Sequence, residues 1–192
     1  INYSGTFSQA DYDPNISSSL TPQFSIMYGH HKGSGSALIN PIVDENSITR
    51  VIYGQMRTLI NGDENEFINF GTGNTTSPDL YVININRTLY KEKLFLPTFN
   101  LTLNNESGSL NLTNNSKDIN SVTYCDAGRV FDIISGSSGN SIISSSISGV
   151  TPGYTISGSY GKFLPDVGLL LLNPQSLKLP FISGGLGINI DD

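Results

Sequence analysis

The residues best equipped for chemistry in this 192-residue chain crowd into one stretch, "MYGHHKGSGSA", Met27 to Ala37. It holds both histidines, His30 and His31, beside Lys32 and the turn Gly33-Ser34-Gly35. Such a set invites a metal site, a phosphate cradle or a general base. The metal reading fails on geometry. Neighbouring side chains point to opposite faces of a strand, or diverge by about 100° on a helix. No H-E-x-x-H or related spacing compensates. A P-loop needs G-x-x-x-x-G-K-[ST] between a strand and a helix, and this stretch has no lysine after its last glycine. Later, "GSYGKF" offers Gly161-Lys162, but Phe163 takes the Ser/Thr place and Ile156 that of the first glycine. Gly33 and Gly35 suit a tight turn instead.

Nucleophiles and carboxylates fare no better. No G-x-S-x-G elbow frames any serine. Cys125 is the only cysteine, which excludes an internal disulfide and a Cys-based zinc site; it reads as a small buried hydrophobe. Acidic residues cluster at Asp11/Asp13, Asp44/Glu45 and Asp63/Glu64/Glu66. "DYDPN" begins like a calcium loop, but Ile16 stands where the loop needs glycine and Pro22 where it needs the bidentate glutamate. A glycosidase needs two carboxylates facing across a cleft, and the chain has no tryptophan to line a sugar groove. Sequons occur at Asn15, Asn74, Asn86, Asn100, Asn105, Asn111 and Asn114. In a chain so rich in Asn, Ser and Thr they arise by chance, and unpaired cysteine usage weakens an extracellular reading. The expectation is therefore no catalytic residue, no cofactor and no metal.

The elements that must position these residues are mostly strands. Charged residues make up 14% of the chain, and Asn, Ser, Thr and Gly fill their place, a composition of turns and solvent-facing strands. Phe24, Ile26 and Tyr28 alternate with polar neighbours and end at Gly29. "TFNLTLNNESGSLNLT" reads as a hairpin, with Phe99, Leu101 and Leu103 on one face and Leu110 and Leu112 resuming it. Further strands are expected at 66–70, 80–86, 119–124, 129–134, 141–147, 153–159 and 167–172. "FLPDVGLLLLNP" reads as one buried strand, opened by Pro165 and ended by Asn173-Pro174. One segment is helical: Ile48, Val51, Ile52, Met56, Leu59 and Ile60 form an apolar face over 47–60. Asn46 or Ser47 caps it and Asn61-Gly62 ends it. Gly54 inside it implies a close neighbour. The predicted fold is mainly β, with sandwich- or barrel-like antiparallel sheets and one amphipathic helix. Residues 1–22 read as an extended N-terminal arm and 23–192 as a single mainly-β domain, its abrupt ends those of a portion of a longer chain.

The net charge of −6 and the separation of Lys91 from Lys93 by Glu92 argue against nucleic acid as a partner, since phosphate contacts need clustered cations. The longest apolar run, Val167 to Leu172, is too short to span a bilayer, so no membrane partner is expected.

The order of the segments says more. "YGHHKGSGSA", "SITRVIYGQMRTLINGDENEFINFG", "DLYVININRTLYKEKLFLPTFNLTL", "YCDAGRVFDIISGSSG" and "GSYGKFLPDVGLLLLNPQSL" succeed one another. From about Phe24 to Leu177 this succession resembles virion structural proteins of tailed bacteriophages, myoviruses like those of cyanobacteria. The resemblance implies a non-enzymatic assembly role in the tail, baseplate or neck region, in multiple copies among other virion proteins. A capsid decoration protein or a surface-exposed receptor- or glycan-binding module is the alternative. In "NINRTLYKEKL", Arg87, Tyr90 and Lys91 near a strand end are the candidate subunit interface, where they can reach an acidic neighbour; a solvated, charge-protected edge is the competing reading.

Overall fold

Four consecutive leucines mark the middle of the molecule. They form strand β12, Leu169–Leu172, which is hydrogen-bonded on one side to β5 (Asp79–Ile85) and on the other to β11 (Gly161–Leu164). Successive strand residues face opposite ways. Leu170 and Leu172 therefore enter one core with Phe163, Phe131 and Leu112, and Leu171 enters a second with Val82, Leu164 and Tyr53. Only a strand covered on both faces tolerates such a run.

The computed structural model describes residues 7–11, 21–34, 47–63, 65–71, 75–106, 108–118, 122–142 and 150–187. The remaining strands are β1 (Phe7–Asp11), β2 (Thr21–His30), β3 (Ile68–Asn69), β4 (Thr76–Ser77), β6 (Leu101–Asn105), β7 (Gly108–Asn114), β8 (Thr123–Cys125), β9 (Gly128–Ser137) and β10 (Asn140–Ser141). The main sheet runs β1-β2-β5-β12-β11-β9-β7-β6, antiparallel at every step, with β8 and β10 folded back on β9. It curls into a half-barrel, so the chain is mainly β with a barrel-like sheet, as its alternation predicts. β3 and β4 make a separate two-stranded ribbon. Within the segment read as an arm, β1 pairs with β2, Phe7 opposite Ile26, with a register shift at Gln9/Ala10.

Helix α1 spans Ile48–Asn61. The Ser47 hydroxyl accepts from Arg50 N, and Gly62, at φ +67°, ends the helix with its N–H on Thr58 O. Its apolar face closes the second core through Ile52, Tyr53, Met56, Leu59 and Ile60. Among the described residues no helix is long and apolar enough to cross a membrane.

Four expectations need correction. "FLPDVGLLLLNP" is two strands, not one: Phe163 and Leu164 end β11, and Pro165–Gly168 turn the chain into β12. Pro165 begins a turn because the next three residues, Asp-Val-Gly, supply the chemistry to finish one. Asn173-Pro174 ends β12 and also opens a short second helix, α2 (Pro174–Lys178), capped by the Asn173 side chain on Gln175 N. The strand expected over 153–159 is a tight turn bridged at Thr155 and Gly158, since Thr155 Oγ1 bonds Gly158 O and accepts from Ser157 N. Among the described residues Gly54 has no close neighbour: a Cβ there meets nothing within 4 Å. Of the strand expected over 141–147, Asn140–Ser141 form β10 and residues 143–147 lie outside those described.

Candidate functional site

The histidine loop is built to hold itself. At the end of β2, His30 Nδ1 accepts from Lys32 N at 3.1 Å and Ser34 N at 3.2 Å. These bonds fold the chain over Gly33, at φ +85°. The loop is then pinned to the start of α1, because Ser47 Oγ donates to Gly33 O and Thr49 Oγ1 donates to Ser34 O at 2.9 Å. His31 turns away and packs its ring against Phe67, 4.7 Å between centroids, and against the edge of Tyr53. Desolvation lowers both histidine pKa values; neighbouring cations, His30 among them, add to the effect on His31. Among the described residues no three His, Cys, Asp or Glu side chains gather at metal-binding spacing. Cys125 is half-buried against the helix-side core, where burial pushes its thiol pKa up.

The concavity of interest lies at the opposite end of β2 and β5. Phe24 and Ile85 pair across these strands and line a cleft of about 430 Å³ together with Ser25, Asn84 and Val167. After β5 a 3-10 turn, Arg87–Leu89, is started by the Asn86 side chain on Thr88 N. It sets Arg87 and Tyr90 on the cleft rim. The Arg87 guanidinium lies 4.5 Å from the Tyr90 ring centroid and donates to Tyr90 O at 3.0 Å. Leu94 N then bonds Pro165 O, tying the segment to the β11–β12 turn. There Tyr90 Oη approaches Gly168 so closely that a Cβ has no room.

Asp166, in the same turn, completes the rim. Arg129 grips it through NH2 to Oδ1 at 2.5 Å, and through Nε and its backbone N to Oδ2. That fork holds the Asp166 carboxyl below the usual carboxylate range. The structure thus brings Arg87 and Tyr90 together on the cleft and leaves Lys91 exposed beside it, not lining it. Phe24, Asn84 and Asp166 were not singled out from sequence. The Pro-Asp-Val-Gly turn signal was available for Asp166, whereas the cross-strand meeting of Phe24 and Ile85 depends on register.

A second, shallower groove runs beside α1 between Val51, Gly54, Thr58 and Asp126. The open side of Gly54 therefore belongs to the surface. Compared with known protein families, curated proteins and solved structures, the chain matches none.

Proposed function

We propose that this chain is a non-enzymatic structural component of a bacteriophage virion, making assembly contacts in the tail, baseplate or neck region. The ordered blocks between Phe24 and Leu177 first suggest it. Large apolar side chains left exposed by the fold accord with it. Phe95 is 68% exposed, Tyr124 69% and Ile182 79%, and Leu89 stands clear beside the Arg87 turn. They come from separate parts of the chain, where different neighbours can cover them; single exposed apolar residues are common on soluble proteins too, so the order of the blocks carries the reading. On this reading the partners are other virion proteins and further copies of the chain, arranged by the particle's symmetry.

The cleft favours one second reading, a receptor- or glycan-binding module. Amide, guanidinium and phenol groups over an apolar floor are the means by which a shallow site orients a polar ligand. Locating the chain in the intact particle by electron cryomicroscopy separates the two. The assembly reading expects Phe95, Tyr124 and Ile182 covered by neighbouring subunits. A peripheral position with these residues covered by no neighbouring subunit and the cleft open overturns it in favour of the adhesin.

A further inference from the structure

Three adjacent strands bring an amine, a carboxylate and a carboxamide into one bonded chain. Lys162 on β11 is the register partner of Asp132 on β9, and its Nζ lies 2.6 Å from Asp132 Oδ1. Asn115, one residue past β7, donates through Nδ2 to the other oxygen, Asp132 Oδ2, at 3.3 Å. One carboxylate thus touches both nitrogens. The Asn115 carbonyl is also engaged: Asp132 N donates to Asn115 Oδ1 at 3.0 Å. Asn115 is 3% exposed, and the Lys162 and Asp132 side chains are 17% and 26% exposed. Tyr154 closes the group, its hydroxyl accepting from Asn115 Nδ2 at 3.1 Å. Burial first, and then Asp132, push that phenol up to about 12, so it remains a neutral hydroxyl.

An ion pair needs none of the carboxamide's part in this. From the geometry we infer that Lys162 and Asn115 are the reactants, and Asp132 the acid–base catalyst, of a single-turnover transamidation that ties β11 to the end of β7 across β9. Asp132 takes a proton from the Lys162 ammonium, freeing the Nζ lone pair to add to Asn115 Cγ. The carbonyl electrons move onto Oδ1, where the Asp132 backbone N–H stabilises the charge. Asp132 then gives its proton to Nδ2 through one oxygen and takes one from Nζ through the other. The Cγ–Nδ2 bond breaks, the Cγ–Nζ amide is complete, and ammonia leaves, taking up the proton left on Asp132. Lysine ammonium and asparagine amide become an isopeptide and ammonium, with no oxidant and no cofactor. The Asp132 N–H already donates to Asn115 Oδ1; the reaction requires Nζ to leave Asp132 Oδ1 and come within about 3–3.5 Å of Asn115 Cγ.

The inference does not depend on the virion assignment. Its test is the mass of the purified full chain, fully denatured, followed by peptide mapping. The expected result is a chain lighter by one ammonia, with a branched peptide joining Lys162 to Asn115. Lys162→Arg keeps the ion pair and the fold but removes the nucleophile, and Asp132→Asn removes the acid–base group; each is expected to restore the mass of the unmodified sequence. A wild-type mass with nothing lost overturns the proposal. So does an ammonia loss that survives Lys162→Arg, which assigns the loss to asparagine cyclisation. Loss of one water instead, with Lys162 joined to Asp132, overturns the transamidation as written.

Discussion

At the scale of single residues, His30 and Gly33 do structural work that their types disguise as chemistry. His30 Nδ1 must stay unprotonated to accept from Lys32 N and Ser34 N, and desolvation lowers the pKa in the same direction. With the folded pKa below the unfolded one, stability is full above the unfolded value of about 6.5 and falls as pH drops through the folded one. His30→Asn supplies an oxygen acceptor that does not titrate. Melting temperatures measured from pH 7.5 down to 5 should therefore decline less steeply in that variant and, on the proposed assembly role, particle assembly should be retained. Two glycines, Gly33 in this loop and Gly54 inside α1, should behave oppositely. Gly33→Ala puts a Cβ into Ser47 Oγ at φ +85°, costing at least the 1–2 kcal/mol, roughly, of a left-handed backbone. Gly54→Ala opens onto free space and should stabilise α1 by about 1 kcal/mol. Urea denaturation of the two variants checks both signs, and a destabilised Gly54→Ala would return that site to a packed one.

At the scale of elements, two ties hold the strands to what covers them. Tyr53 Oη, from the buried face of α1, donates to Ser77 O at 2.5 Å and accepts from Ile68 N at 3.3 Å. One phenol thus joins the helix to both strands of the β3–β4 ribbon. Tyr53→Phe leaves a buried carbonyl and a buried N–H without that partner, and should cost about 1–3 kcal/mol in chemical denaturation. The Arg129–Asp166 fork ties the start of β9 to the β11–β12 turn. The lowered Asp166 pKa, caused first by its hydrogen bond from Arg129, contributes stability above the unfolded value of about 3.9; this is lost as pH falls through the folded value. Partial solvation limits Asp166→Asn to about 1 kcal/mol. Its melting curve should converge on the wild type at acid pH.

These ties explain what could be read in the sequence and what could not. Helix α1, β2 and the β6–β7 hairpin were legible because one local period and one set of end signals determine each. In the hairpin, Leu101 pairs with Leu112 and Leu103 with Leu110, as alternation requires. The cleft was legible only in part. Arg87 and Tyr90 announce themselves by type beside a strand end. Phe24 and Asp166 reach them through the β2–β5 register and through a turn hidden inside an apolar run. The Lys162–Asp132–Asn115 group had no local signal, because its members lie on β11, on β9 and just past the end of β7, three strands brought together by sheet order alone.

At the scale of the whole molecule, charge is unevenly spread. The chain carries −6 overall, yet Arg87, Lys91 and Lys93, with Glu92 between the lysines, fall within one exposed segment whose Arg87 lines the cleft. Elsewhere, Arg129 and Lys162 are held in ion pairs. Cations at an exposed rim add little to the stability of the chain that bears them, but they steer and orient an acidic partner. Exchanging both signs at once, in Arg87→Glu/Lys91→Glu, separates these roles. The isolated double variant gives up the Arg87 bond to Tyr90 O and the contact with the Tyr90 ring, so it should lose only about 1 kcal/mol of stability in chemical denaturation. On the proposed assembly role, incorporation into particles, measured as copies per virion against an unaltered structural protein, should fall, and the fall should deepen as salt is lowered, because screening weakens the new repulsion at high ionic strength. Normal incorporation with an unchanged salt response would leave the rim as a solvated edge and move the assembly contact to the exposed apolar residues at Phe95, Tyr124 and Ile182.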